Sequence, residues 1–187
     1  ITSEGITTVT ARGVCWNTNG SPTTNDNKTS DGTGSGSFNS NITGLTSNTT
    51  YFVRAYAHNS AGNAYGPEVS FITEKIINLP TISTETVTNI TQTTATSGGN
   101  ISNDGGGAIT AKGVCWNSTG TPTVNDSKTT DETGSDSFTS NIIGLTNSTT
   151  YYVRAYATNK AGTAYGQVVS FETAQNIPTL STETVID

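Results

Sequence analysis

One histidine, two cysteines and a group of aspartates are the side chains in this sequence that could do chemistry. His58 is the only histidine, and Thr158 stands at the equivalent position in the second half of the chain. A serine nucleophile needs a neighbouring base such as histidine, and the second half has none. We therefore interpret His58 as an exposed loop residue, and we predict no catalytic residue and no enzymatic activity.

The aspartates lie in the long polar segment of each half. Residues 25–32 weakly resemble a calcium loop with oxygen ligands, but the ligand spacing and the closing glutamate are missing. We expect a solvated loop rather than a calcium site, and we predict no metal and no other cofactor. Paired carboxylates for glycoside hydrolysis need a cleft, usually on a larger scaffold than domains of this size. The aspartates concerned are Asp26, Asp31, Asp126, Asp131 and Asp136.

The two cysteines, Cys15 and Cys115, occupy the same place in two repeated segments. They should therefore lie about one domain length apart, too far for an internal disulfide. Without a nearby histidine they do not form a metal site. We interpret them as two buried structural thiols.

A repeat organises the whole chain. When residue 101 is aligned with residue 1, no gap is needed as far as residue 173, and 46 of the 73 pairs are identical. A repeat of domain length indicates an array of separate domains rather than a solenoid. The register then slips by two residues, because residues 80–87 match residues 178–185. Linkers tolerate such a change in length and strands do not.

Composition and charge exclude several functions. The chain has 187 residues, 31% of them hydrophobic, with a net charge of −6 and only eight lysines and arginines. Nucleic acid and anionic membranes are poor partners, because phosphate binding needs clustered cations. No run approaches the roughly 18 apolar residues of a membrane span, so we expect no membrane insertion. Aromatic and β-branched residues in periodic runs predict a folded, all-β protein.

The alternation of apolar and polar residues predicts six strands in the second copy. Gly98 and Gly99 are expected to end the second of these strands, and residues 102–107 to form a turn. Residues 117–135 read as a long polar loop with room for a short strand. The predicted strands are A (81–87), B (91–97), C (109–116), E (138–142), F (151–158) and G (168–173).

The region around strand F resembles the fibronectin type III family. Residues 145–151 have the leucine, threonine and tyrosine spacing of that family's E–F corner, and Leu45, Thr49 and Tyr51 repeat it. The resemblance implies that the tyrosine hydroxyl bonds back to the loop backbone. It also implies an all-β fold of tandem fibronectin type III-like (immunoglobulin-like) β-sandwiches. Strand B lacks the tryptophan that the family usually has there, and a tryptophan stands on strand C instead, at Trp116.

This resemblance divides the chain into four parts. We predict a first repeat lacking strands A and B, a linker, a complete second repeat, and a further linker leading into strand A of a following repeat. The first residues read as the inside of a domain, so we expect a piece of a longer protein. The four parts are residues 1–75, 76–79, 80–174 and 175–187.

The resemblance to fibronectin type III domains implies which side chains of strand F point outward. With Tyr151 and Val153 facing the core, an arginine flanked by aromatic residues lies on the outer face. This face could be a stabilising cation–π ladder or an interaction surface for a sugar or a protein. Its residues are Phe52, Arg54, Tyr56, Tyr152, Arg154 and Tyr156. On strand C either alternate set can face inward. We favour Val114 and Trp116 inside, which places Cys115 on the outer face.

Two strand sequences occur in both copies: Gly-Val-Cys-Trp at 13–16 and 113–116, and a Thr-Tyr-Val-Arg-Ala-Tyr-Ala type of strand at 50–57 and 150–157. Together they resemble repeats of large surface and secreted proteins of Gram-negative bacteria. This implies a non-enzymatic structural or spacer repeat of a long extracellular surface protein, such as a stalk, filament or adhesin. Expected partners are neighbouring repeats of the same or like chains, and a glycan or a host surface protein. The alternative is an accessory spacer or glycan-binding module of a secreted carbohydrate-active enzyme. The tail strand, residues 178–187, could also pair with the first copy of another molecule.

Overall fold

The computed structural model describes residues 1–3, 5–176 and 180. Every regular element in these residues is a β-strand, and they contain no helix. The all-β prediction is therefore confirmed. The chain divides into two compact units, Ile1–Ile76 and Ile77–Asp187. Among the described residues there is also no helix long and apolar enough to cross a membrane.

Unit 1 contains a single antiparallel sheet in the residues that the structure describes. The sheet has the order β2-β1-β3-β4, and β5 pairs with the other half of the same edge of β3. Its strands are β1 (Ala11–Asn17), β2 (Asn27–Lys28), β3 (Thr50–Asn59), β4 (Gly62–Tyr65) and β5 (Val69–Ile72).

Unit 2 repeats that sheet and adds a second one. The larger sheet has the order β12-β11-β8-β9 with β13 also on β11, and the smaller sheet has the order β10-β7-β6. The strands are β6 (Thr81–Thr84), β7 (Thr94–Asn103), β8 (Ala111–Asn117), β9 (Ser127–Lys128), β10 (Phe138–Ile143), β11 (Thr150–Asn159), β12 (Gly162–Tyr165) and β13 (Val169–Glu172). The short strand β9 lies within residues 117–135, where the sequence predicted a polar loop with room for a short strand.

The core of unit 2 lies between its two sheets. Ala95 comes from the smaller sheet, while Val114, Val153 and Ala155 come from the larger sheet, and all four are buried. Trp116 packs against this cluster from β8. Val114 and Trp116 therefore face inward, as we favoured, which leaves Cys115 on the opposite face.

Several predicted strand boundaries are wrong: strand B begins at Thr94 rather than Thr91, and strand C begins at Ala111 rather than Ile109. Gly98 and Gly99 do not end strand B, because β7 continues through them to Asn103. A Cβ on Gly99 would lie 2.6 Å from the Cβ of Ala155 and 2.8 Å from the Phe138 ring. The glycines thus let the strand approach its neighbours closely. Strand A ends earlier than predicted, at Thr84.

The E–F corner has the geometry that the resemblance implies. The Thr146 amide donates a hydrogen bond of 3.1 Å to the Tyr151 hydroxyl, and Thr46 does the same to Tyr51. The Tyr151 ring stacks on Phe171 with centroids 5.9 Å apart. The hydroxyl therefore pins the loop to the strand that follows it, in both units.

Candidate interaction surfaces

The predicted outer face of β11 is covered rather than exposed. Tyr156 is only 2% exposed and Tyr56 only 5%, so the expectation that these two tyrosines form part of an open surface is wrong. The polar loop folds over them: the Tyr156 hydroxyl donates a 2.7 Å hydrogen bond to the Thr129 carbonyl, and Tyr56 donates an equal one to Thr29. Burial also raises the pKa of both hydroxyls.

The two outer-face arginines are engaged in contacts within their own units. The Arg154 guanidinium lies 3.9 Å from the Tyr165 ring centroid, and its Nε donates to the Pro122 carbonyl. Arg54 lies 4.7 Å from the Tyr65 ring centroid and donates to Gly66 at 3.0 Å. The cation–π contact exists, but its ring comes from the neighbouring short strand and not from the aromatic residues that flank the arginine.

Four of the six predicted residues keep partial access to solvent. Phe52, Arg54, Tyr152 and Arg154 are each half-buried. The two aromatic side chains among them are the part of this face that a ligand could still contact. An interaction role for this reduced set stays a prediction.

Loop aspartates act as local caps of turns. The Asp126 carboxylate accepts hydrogen bonds of 2.7 and 3.1 Å from the amide and hydroxyl of Thr123, and Asp26 is held in the same way by Thr23. The backbone hydrogen bond is the main reason that the pKa of each carboxyl is lowered. Across the described ranges, no three histidine, cysteine, aspartate or glutamate side chains are placed to hold a metal ion.

These caps predict a loss of stability in acid. A carboxyl whose pKa is lower in the folded state stabilises the protein above its unfolded value of about 3.9, and this contribution disappears as the pH falls through the folded value. We expect the Asp26→Asn/Asp126→Asn double variant to lose less stability than the parent chain between about pH 5 and pH 2. Urea unfolding at a series of pH values measures this. Equal losses in the two proteins would contradict the role of the caps.

Both thiols are buried, in agreement with the sequence interpretation. Cys15 and Cys115 are each 0% exposed, and their Sγ atoms lie 3.5 and 3.6 Å from the carbonyls of Arg54 and Arg154. Burial is the main cause of the raised pKa of both thiols.

We expect neither thiol to react with a disulfide reagent such as DTNB while the protein is folded. Reaction needs an accessible thiolate, and burial removes both access and ionisation. At pH 8 the chain should show no fast phase, and two equivalents should react at once in guanidinium. The Cys15→Ser and Cys115→Ser variants assign each thiol. A fast native reaction at either position would show that its covering loop opens readily.

His58 is exposed, as expected, but it lies on β3 and not in a loop. Its Nδ1 is 2.9 Å from the Asn63 Oδ1 on the neighbouring strand. In unit 2 the hydroxyls of Thr158 and Thr163 make the equivalent cross-strand contact at 2.8 Å. The substitution of threonine for histidine therefore preserves a polar pair on the sheet surface.

The inner face of the unit 1 sheet is open around Ala55 and Phe71, although Trp16, Tyr51 and Val53 are buried in a small cluster of their own. Ala55 is exposed and Phe71 is 38% exposed, whereas Ala155 is fully buried and Phe171 is 7% exposed. Residues 38–43 form no strand, although the matching residues of unit 2 form β10. β10 pairs with β7, which has no counterpart among the residues of unit 1 that the structure describes. That the first repeat lacks strands A and B stays a prediction.

Comparisons with known proteins found similar solved structures, but no similar sequence among family models or curated proteins. Similar solved structures include the FN1–FN3 domains of chicken CNTN1, with 12% identity, a TM-score of 0.42 and 88% of this chain covered. Domains A168–A170 of titin have 16% identity, a TM-score of 0.47 and 91% coverage. This chain spans 56% of the length of each of those two structures.

A single-domain structure is also similar. It is the sixth fibronectin type III domain of the human fibronectin type III domain containing protein 3, with 21% identity and a TM-score of 0.39 over 58% of this chain and 96% of that one. Unit 2 has a fibronectin type III-like, immunoglobulin-like β-sandwich fold, which its own sheet order and tyrosine corner define.

Proposed function

We propose that this chain is a non-enzymatic spacer repeat of a long extracellular surface protein, such as a stalk, filament or adhesin. One observation carries the proposal: an arginine, a tyrosine and an aspartate of each unit are held in internal contacts, and these contacts recur at equivalent positions in the two units. The arginine lies against a tyrosine ring, the buried tyrosine bonds to a loop carbonyl, and the aspartate caps a turn. Duplication of such a unit adds length without adding a new site.

A pulling experiment on the full chain tests the spacer role. Unit 2 should unfold in one cooperative step, because its core joins both sheets. The 92 residues from Thr81 to Glu172 should then add roughly 300 Å of contour length, at about 3.3–3.6 Å per residue. Gradual extension without a step of this size would contradict a load-bearing spacer.

The extracellular location and the partners belong to the same proposal. We propose neighbouring repeats of the same or like chains as the main partners, with a glycan or a host surface protein as a further one. Antibodies against unit 2 should label intact cells that produce the parent protein, and external protease should remove the label. Labelling only after permeabilisation would contradict an extracellular location.

A second candidate function is glycan binding, as in an accessory module of a secreted carbohydrate-active enzyme. The half-buried rings of Phe52 and Tyr152 favour it, because partly exposed aromatic faces can stack on sugars. Glycan-array binding that is lost in the Tyr152→Ala variant would support this function. Tyr156→Phe is the matched control, because that ring is buried and should not contact a ligand.

Polymerisation by donation of the tail strand remains a proposal as well. The tail, residues 178–187, lies outside the described residues except for Leu180. In unit 2 strand A (β6) pairs only with β7. A donated strand A would therefore leave residues 38–43 of the acceptor without a partner, so it could not complete the face of unit 1 alone.

A further inference from the structure

We propose that the entry segment of unit 2, residues 77–84, is a mechanical latch. Two side chains of the larger sheet hold this segment from one side, while β7 pairs with its β6 part from the other. A pull on the chain at this end therefore acts on both sheets at once. The inference deepens the proposed spacer role and rests on it for its biological use, but every contact involved lies within unit 2.

The first half of the latch is a buried asparagine at the end of β11. The Asn159 Nδ2 donates hydrogen bonds of 2.7 Å to the carbonyls of Asn78 and Asp104. The Asn78 amide in turn donates one of 2.8 Å to the Gly105 carbonyl. Asn159 is only 4% exposed. One side chain therefore ties the entry segment both to β11 and to the turn between β7 and β8.

Glycines let the entry segment lie close to that turn. A Cβ on Gly105 would clash with the Asn78 carbonyl oxygen, and this glycine has a φ of 73°, which other residues rarely adopt. A Cβ on Gly107 would lie 2.7 Å from the Ile77 Cγ2. Residues 77–79, although they fall in the predicted linker, are thus packed against unit 2.

The second half of the latch is the carboxamide of Gln167, beside β6. Its Oε1 accepts a 3.3 Å hydrogen bond from the Thr84 amide, and its Nε2 donates one of 3.0 Å to the Thr84 carbonyl. The side chain pairs with both backbone groups of one residue, as a neighbouring antiparallel strand would. The Thr84 Oγ1 adds a bond of 2.6 Å to the Gln167 carbonyl and accepts one of 3.0 Å from the Ala155 amide.

The larger sheet does not need the Gln167 carboxamide in order to form. Pro67 stands at the equivalent position of unit 1, where β4 and β5 still pair with β3. The carboxamide therefore serves the entry segment. Because β6 also pairs with β7, a force along β6 must shear hydrogen bonds to both sheets together.

Pulling the full chain in optical tweezers tests the latch. In the parent chain, residues 77–84 should be released together with the rest of unit 2. In the Gln167→Ala variant, these eight residues should be released first, as a separate extension of roughly 27 Å at about 3.3–3.6 Å per residue. At a given force this opening should be about two- to tenfold faster than in the parent, the factor expected for one net hydrogen bond.

Asn159→Asp should have the same effect as Gln167→Ala. It preserves the shape of the side chain but replaces the donor with a carboxylate, which cannot donate to the two carbonyls. Asn100→Ala is the matched control, because it removes a carboxamide that contacts the Ser137 hydroxyl at 3.0 Å and does not touch the entry segment. Its trace should equal that of the parent.

Hydrogen exchange provides a second measurement without force. The Thr84 amide should exchange faster in Gln167→Ala, and the Asn78 amide in Asn159→Asp, while the Val153 amide of the core is unchanged. Equal exchange in parent and variants would overturn the latch.

The pulling traces separate the latch from the spacer role. An early extension in the parent, or variant traces equal to the parent trace, would overturn the latch and leave the spacer role standing, since unit 2 would still unfold in one main step. A lower urea midpoint without an early extension would also overturn it, because the two side chains would then stabilise unit 2 without resisting the force. Gradual extension of unit 2 in the parent would contradict the spacer role, and the latch with it.

Discussion

Replacing Ile142 with alanine should lower the free energy of unfolding of unit 2 by about 2–5 kcal/mol. This side chain is 0% exposed and lies in the cluster that joins the two sheets. Its removal leaves a cavity that β10, paired along its whole length with β7, cannot collapse to fill. The same replacement at Ile42 should cost unit 1 far less, because that side chain is only half-buried and its segment forms no strand.

Urea unfolding measures both effects in one chain. Trp16 and Trp116 report on units 1 and 2, so single-tryptophan backgrounds, made with Trp16→Phe or Trp116→Phe, assign each transition. Val169→Ala serves as a milder control in unit 2, because its side chain is partly buried against the same cluster. Equal losses for Ile42→Ala and Ile142→Ala would mean that unit 1 has a closed core, which would contradict the open face.

Strand F and its corner were predictable because their signals are local. The alternation from Tyr151 onward fixes which side chains face the core, and the leucine-to-tyrosine spacing fixes the turn before it. The duplication strengthened both, since two copies rarely share a pattern without a common structure. The assignment of Val114 and Trp116 to the core also followed from local parity together with the missing tryptophan on strand B.

The burial of Tyr156 could not be predicted in this way. Strand parity places it on the outer face correctly, but its exposure depends on a loop that returns over that face. The Thr129 carbonyl that accepts its hydrogen bond lies 27 residues away in the chain. One sequence signal was available: Gly113 stands opposite Tyr156 on β8, and a Cβ there would clash with Thr129. A glycine inside a strand can mark a close approach of this kind.

The predicted end of strand B at Gly98 and Gly99 is wrong for a related reason. Glycine pairs are common at strand ends and turns, so a local rule favours a break. Here the pair lies inside β7, because Phe138 and Ala155 crowd the strand from the adjacent strand and the opposite sheet. Glycine in the sequence indicates that a side chain is disfavoured at these positions. Only the packing shows whether the reason is the backbone conformation of a turn or close contact with a neighbouring residue.

Gly166→Ala should destabilise unit 2 by about 1–3 kcal/mol through overpacking. A Cβ at this position would lie 2.6 Å from the Thr84 amide nitrogen and 2.9 Å from the Ser83 carbonyl carbon. These are backbone atoms, so they can yield only if β6 moves away and breaks the Thr84 contacts with Ala155 and Gln167. Limited proteolysis should then cut the β6 segment sooner than in the parent chain.

Gly66→Ala is the control that isolates this cause. Both glycines follow a tyrosine, although Pro67 stands after Gly66 where Gln167 follows Gly166. No described residue of a strand A lies against Gly66, and the nearest atom to the new Cβ is 3.6 Å away. Its effect on unit 1 should be neutral, or a gain of about 0.4–1 kcal/mol from reduced freedom of the unfolded chain. If both variants were equally harmless in urea unfolding, β6 would not be packed on the gap between β12 and β13. If both variants were equally destabilised, the sheet itself would require glycine at this position, whether or not a strand A packs against it.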